Sequence, residues 1–386
     1  MILISERIKK LLIITDGLGV DKTFVTCVII LLSIGLVMIT SATLDQAYQK
    51  LNNPFHFTIK HSIYLVLGIF TVYITSQIKL KFYQDYSKLF LVLAFIFCIL
   101  VFIPGLGFEA KGARRWINLG IITVQVSEVS RLFILIWVSS YILRNNIDEI
   151  FYKSVIIILL LSSIIILQRD FGSMFLLILT FFSLMLLGGV NFKKWFSTAI
   201  ILIIPIALLV ILTPYRFRRI MSFIDPWQDS SGAGYQLIAS ELAFSSGGLF
   251  GLGLGSSIQK LNYLPEAYND FIFAVIAEEL GLLFVILVIL TYIIMIMRIF
   301  ILAHKSADNG LLFGSFLANM IGLLITFQVI IHMMVNIGLA PTKGMGLPLI
   351  SYGGTNLLCI FMCIGILIRI QIENKQKISQ AVQRGY

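Results

Sequence analysis

The chain has 386 residues, a length that by itself accommodates two or three soluble domains. Composition excludes that reading: hydrophobic residues make up 59% and charged residues only 12%, against about 25% charged in a soluble domain. The net charge of +10 is ordinary membrane asymmetry and gives no hint of nucleic acid.

The apolar runs are long enough to cross a bilayer. In chain order they fall at 24–43, 61–78, 87–103, 128–144, 154–168, 171–190, 195–213, 270–299, 311–337 and 349–370. The expected fold is an all-α integral membrane protein with about ten transmembrane helices, a single polytopic domain over 1–386. Only the connection at 214–269 is long enough to hold folded structure of its own. No cleavable signal peptide is evident, because the apolar stretch Leu11 to Ile14 is short and Asp16 follows it. The first span then serves as the anchor. The four cysteines, Cys27, Cys98, Cys359 and Cys363, all fall inside spans and read as small packing residues.

Positive charge near span ends sets orientation. With the N-terminus in the cytoplasm, the inner side collects most of the 29 basic residues, including Arg7, Lys9, Lys10, Lys193, Lys194 and Arg384. An even number of spans then puts both termini in the cytoplasm and residues 214–269 outside. The exceptions are informative. Lys111, Arg114 and Arg115 follow the third span; Arg216, Arg218 and Arg219 open the long loop; Lys343 lies in the last loop. Long loops follow the charge rule poorly, which accounts for the second group but not for the others. Clustered cations on an outer face imply an anionic partner there, either lipid headgroups or a phosphorylated substrate.

Within the long loop, Pro214 ends the seventh span. Leu237, Ile238, Leu242 and Ala243 have helical spacing, which predicts a helix over 234–246 lying along the membrane surface. Five glycines follow between Gly247 and Gly255. No βαβ context surrounds them, so they are no nucleotide fingerprint. Either they let the backbone turn tightly against its neighbours, the favoured reading, or they turn N–H groups toward phosphate.

The stretch "LPEAYNDFIFAVIAEELG" at 264–281 holds four of the 19 acidic residues at the start of a span. Asn269 suits an N-cap, which puts Asp270 in the first helical turn. Glu278 and Glu279 then lie roughly 12–14 Å deeper. Asp270 reads equally as a capping carboxylate or as a catalytic one. Glu278 and Glu279 suit a structural role, paired with a buried cation, for which Arg131 and Arg169 are the candidates. Glu266 is a loop residue of undecided role. Gln328, His332 and Asn336 recur every four residues on one helix face, a pattern that predicts helix-to-helix hydrogen bonds. No Ser-His-Asp order, zinc spacing or Walker motif is visible.

Several stretches together resemble the SEDS family (shape, elongation, division and sporulation), in order along nearly the whole chain. They are "GARRWINLG" at 112–120, "QVSEVSRL" at 125–132, "QRDFGS" at 168–173, "GAGYQ" at 232–236, the acidic stretch itself and "PLISYGG" at 348–354. "LAPTKGMGLPLISYGG" and "NNPFHFTIKHSIYL" resemble the division-type rather than the elongation-type members. Val126, Arg131, Arg169 and Asn262 depart from the family's usual residues.

The resemblance implies a peptidoglycan glycosyltransferase that polymerises lipid II, a lipid-linked disaccharide-pentapeptide, during septal wall synthesis. It implies Asp270 as the essential aspartate. Substrate contacts fall on Lys111, Arg114, Arg115, Glu128, Arg218, Arg219, Glu266, Lys343, Ser351 and Tyr352, and structural polar roles on Arg131, Glu278, Glu279, Gln328 and Asn336. The implied partners are a class B penicillin-binding protein transpeptidase, other division proteins and membrane lipids, with no nucleic acid. The implied location is the bacterial cytoplasmic membrane at the septum. A divalent cation, Mg or Mn, enters as an implication of the family only; no metal ligand set is legible. Two other functions stay open: a flippase for lipid II, which needs its charges near the midplane, and a non-catalytic division scaffold.

Overall fold

The computed structural model describes residues 20–110, 112–118, 120, 123–230, 232, 234–261 and 263–383. Lys111, Asn262 and the terminal cations Arg7, Lys9, Lys10 and Arg384 lie outside the described residues.

The chain is a polytopic helical membrane protein. Its helices are α1 (Lys22–Leu51), α2 (His56–Gln77), the short α3 (Leu80–Asp85), α4 (Ser87–Leu100), α5 (Val126–Arg144), α6 (Ile147–Leu167), α7 (Phe171–Leu187), α8 (Phe192–Ile211), α9 (Pro214–Ile224), α10 (Tyr235–Gly247), α11 (Ile272–Asp308), α12 (Leu312–Asn336) and α13 (Gly354–Gln383). Among the described residues, eight are long and apolar enough to cross a membrane, and α4 and α7 are shorter apolar helices. Together they answer to the ten predicted spans.

Helix starts follow short polar side chains. Asp21, Asn146, Asp170 and Asn191 each accept a bond from a backbone N–H in the first turn of α1, α6, α7 and α8. In the apolar interior the hydroxyls of Ser139, Ser154 and Thr180 donate to carbonyls four residues back on their own helices. That satisfies them without water. Helix α5 is central, with 78% of its apolar window buried, whereas α8 is peripheral at 6%.

Two ends of the bundle are distinct. At one, the Asp21 N–H donates to Gln371 Oε1 and Arg298 pairs with Asp21. The Leu80 N–H donates to Glu373 there. At the other end lie the connections after α4, α8 and α12. The first of these corrects the expectation that only 214–269 holds folded structure. Strands β1 (Gly107–Ala110), β2 (Ala113–Asn118) and β3 (Thr123–Gln125) form an antiparallel sheet in that order. Ala113 and Ile117 face the bundle and Arg114 faces out. The sheet is tied down where the Gln125 N–H donates to Thr355 Oγ1 at the start of α13.

Candidate active site

The eighth predicted span is a broken helix. Gly281 in α11 has φ 76° and ψ 178°, which no helix contains. A break leaves carbonyls of the first half and N–H groups of the second without intrahelical partners. The glycine-rich loop supplies them. Leu252 and Gly253 N–H donate to Glu278 O and Glu279 O at 2.9 Å, and Leu282 N–H donates to Gly248 O at 3.0 Å. Contact this close needs glycine. A Cβ on Gly251 would lie 2.2 Å from Glu279 O, and one on Gly281 would lie 2.3 Å from Gly251 N. The tight-turn reading of these glycines therefore describes the loop. Helix α10 forms as predicted, and one face of it packs on the bundle. Leu237, Ile238 and Ala243 are buried, and Ser240 donates to Asn336 O.

The two glutamates grip the loop. Glu278 accepts from Ser257 Oγ and from the Ile258 N–H at 3.0 Å. Glu279 accepts from Lys260 Nζ at 2.7 Å and from Ser41 Oγ of α1. This corrects the expected partners: the buried cation is Lys260, not Arg131 or Arg169. Arg169 instead donates to Gly112 O at 2.7 Å, across to the sheet. Lys260 lay in an unremarkable loop, with no signal that its amine turns inward.

Asp270 ends the turn that leads into this half-helix. The helix begins at Ile272 with Phe271 as its cap, so Asn269 is not the N-cap and Asp270 precedes the first turn. The turn is built on Glu266, whose φ of 58° is left-handed and whose carbonyl accepts from both Asn269 N–H and Asp270 N–H. Glu266 thus acts here through its backbone.

A non-helical strap, residues 337–353, closes over this turn. It is held by the polar face of α12. Gln328 donates to Gly346 O at 3.0 Å, His332 Nδ1–H to Met345 O at 2.7 Å, and Asn336 to Asp270 O at 3.0 Å. These side chains bind backbone of the strap and the turn, and the expected helix-to-helix bonds are present as well: the Ala274 N–H of α11 donates to Asn336 Oδ1 at 3.1 Å. Gln328 also reaches Asn356. Ser351 donates to Asn269 O, and the Tyr352 N–H donates to Tyr268 O. The Tyr352 and Phe57 rings pack on Tyr268, with centroids 5.7 and 5.3 Å away. Gly344 meets the reactive end: a Cβ there would lie 3.1 Å from Asp270 Oδ2.

The cations divide. Lys343, next to that glycine, stands over the rings of Phe171 and Phe175 at 5.0 and 4.2 Å. Burial pushes its amine down to about 8. Arg219 donates to Thr342 O of the strap, and Arg216 stands 5.4 Å over the Phe171 ring. Arg218 is exposed. On the sheet, Arg114 pairs with Glu109 at 3.1 Å, both exposed. Arg115 turns toward a second acidic centre that sequence reasoning missed.

That centre is Asp170 of "QRDFGS". Its carboxylate accepts from Ser127 Oγ at 2.6 Å, Gln125 Nε2 at 2.9 Å and the Ser173 N–H at 3.1 Å. Burial alone would raise its pKa; the Arg115 guanidinium and these bonds outweigh it and hold the carboxyl below its ordinary range. Glu128 and Arg131 stand one helical turn apart on α5, and the charges of Arg131 and Arg115 act on Glu128. The legible signal was a short acid directly before an apolar run, which is a helix cap. The two acidic centres adjoin: a Cβ on Gly172 would lie 3.3 Å from Met345 of the strap.

Among the described residues no group of three or more His, Cys, Asp or Glu side chains is placed to hold a metal ion. Gly344 of the strap lies against the Asp270 carboxylate.

A family model described as "Cell cycle protein" and covering FtsW, RodA and SpoVE matches residues 21–376. The chain belongs to this family. A Coxiella burnetii member, named probable peptidoglycan glycosyltransferase FtsW, is 39% identical over 92% of this chain and 97% of its own length. An Escherichia coli member of the same name is 36% identical over 96% and 91%. Among solved structures, a chain described under "Structural coordination of polymerization and crosslinking by a peptidoglycan synthase complex" superposes with a TM-score of 0.76, at 22% identity, covering 93% of this chain and all of that one. The rod shape determining protein RodA of Thermus thermophilus gives a TM-score of 0.66 at 19% identity over 91% and 96%. These two likenesses show the family's fold.

Proposed function

We propose that the chain is a peptidoglycan glycosyltransferase that joins lipid II units into glycan on the outer face of the cytoplasmic membrane. The observation that carries this reading is the meeting of Asp270 and the strap, which brings a carboxylate against Gly344, the residue after Lys343. The names of the relatives support the same chemistry and a division role.

A sugar hydroxyl of one lipid II attacks the anomeric carbon of the growing chain. Asp270 takes the hydroxyl proton as the new C–O bond forms. The bond from that carbon to the pyrophosphate breaks, and undecaprenyl pyrophosphate leaves with the electron pair. Lys343, Arg216 and Arg219 lie on the same face, where cations stabilise the charge developing on the leaving group.

The charge bias of the loops supports the outer face for this end of the bundle, with both termini inside. The solved peptidoglycan synthase complex supports a transpeptidase partner of the class B penicillin-binding type. A flippase needs a polar path across the bundle. Here Asp270, Asp170, Glu128 and Lys343 gather at one end, and Glu278 and Glu279 are taken up by the loop. That distribution favours polymerisation.

Asp270→Asn tests the reading. Purified variant with lipid II and a cognate transpeptidase partner should stay folded, bind that partner and lose about 10²–10⁴-fold in rate. Glycan gels showing normal polymer would remove Asp270 from catalysis and make Glu266 the next residue to test.

A further inference from the structure

The first half of α11 and the loop before it form a closed re-entrant unit. The chain descends through the glycine-rich loop, returns through residues 256–261 and 263–270, and turns back into the half-helix at Phe271. Asp270 sits at the tip of that return. The descending and helical arms are joined at the far end by the backbone bonds from Leu252 and Gly253 to Glu278 and Glu279.

The side chains add a second grip. Glu278 holds Ser257 and the Ile258 and Gln259 N–H groups. Lys260 Nζ reaches Glu279 at 2.7 Å, Gly255 O at 2.8 Å and Ser41 Oγ at 3.0 Å. Its side chain is 4% exposed and that of Glu279 is fully buried. Ser41 belongs to α1, so the pair fastens the unit to the bundle as well as to itself.

We propose that Lys260 is a positioning residue for the transfer reaction, acting through Glu279 to fix the tip that carries Asp270. This rests on the reading of Asp270 as the base. A carboxylate at a turn is placed only as well as the two arms beneath it. A buried ion pair whose remaining donors and acceptors are occupied holds one geometry. Glu279 lies roughly 10 Å along the half-helix from its start at Ile272, so the pair acts on the tip through the backbone between them.

The test uses full-length protein in lipid nanodiscs with Lys260→Met, Lys260→Arg, Glu279→Gln and the neutral double variant K260M/E279Q. The double variant leaves no unpaired buried charge, so it keeps the test open where a single variant fails to fold. Two readouts are taken per mole of folded protein: kcat and KM for lipid II, and amide hydrogen exchange over residues 263–271. The expected result for K260M/E279Q is a kcat lower by about tenfold to a hundredfold with KM within about twofold of wild type. Exchange over 263–271 should be about tenfold faster, with α5 unchanged. Lys260→Arg should restore most of the rate. Wild-type exchange over 263–271 in the double variant overturns the proposal, as does a wild-type kcat per folded molecule. If the wild-type protein makes no glycan, or Asp270→Asn makes it normally, the reading of the reaction fails instead. The exchange experiment then still decides whether the pair holds the tip.

Discussion

Lys343 keeps its amine over two phenyl rings beside the Asp270 turn, where burial pushes its pKa down to about 8. A lysine is charged below its pKa and neutral above it. On the proposed reading, its contribution to pyrophosphate binding is present at pH 7 and lost as pH rises through about 8. The loss belongs to the free enzyme, so it should appear as an alkaline limb in kcat/KM. Lys343→Arg should move that limb upward and Lys343→Ala should abolish it, at roughly 1.5–3 kcal/mol of lost binding. Gly344→Ala tests the neighbouring contact. The new methyl would press on Asp270 Oδ2, so kcat should fall while the melting temperature changes little. Arg115 has become a different kind of prediction. It faces Asp170, whose carboxyl it helps to hold below the ordinary range. A depressed acid adds stability above its unfolded pKa and loses it as pH falls through its folded pKa. Arg115→Ala should lower the melting temperature at neutral pH, and the difference from wild type should close in acid. At this scale Asp270 was legible through the resemblance, while its chemistry alone left cap and base undecided. Lys260 and Asp170 were not legible as partners, because a contact between residues far apart in sequence leaves no local pattern.

The break in α11 is the decisive element. Gly281 has a left-handed φ, and its Cβ position is filled by Gly251. Gly281→Ala should therefore destabilise by at least about 1–3 kcal/mol from strain alone, with the collision in addition, read as a lower melting temperature in nanodiscs. Hydropathy saw one uninterrupted span here, because a glycine inside an apolar run changes neither its length nor its polarity. The small sheet was hidden for a related reason. Its strands are 4, 6 and 3 residues long, shorter than the windows on which periodicity is judged. Helix α10 was legible because four apolar residues at helical spacing outlast a single turn. Helix α9 was not, since Pro214 reads as a stop whether or not a new helix opens on it, and here it occupies the first turn of one.

For the whole molecule, the apolar helices were legible because each is a long apolar run bounded by polar residues, including the shorter α4 and α7. Which helix is central was not: α5 and α8 are both apolar, and only packing separates them. Sidedness has its own test. A cysteine placed at Ser230, exposed in the long connection, should react with a membrane-impermeant thiol reagent in cells whose outer barrier is opened. Labelling only after the inner membrane is lysed would reverse the orientation.

The bond from Asp21 to Gln371 joins residues 350 positions apart and lies beside the Asp21–Arg298 pair. A ribosome adding roughly 5–20 residues per second reaches the second partner about 20–70 s after the first. During that interval the opening helix is already made and its terminal contact does not yet exist. Nascent chains stopped short of α13 should hold the other helices inserted while that end of the bundle stays open, the state in which quality-control proteases would meet an unfinished molecule.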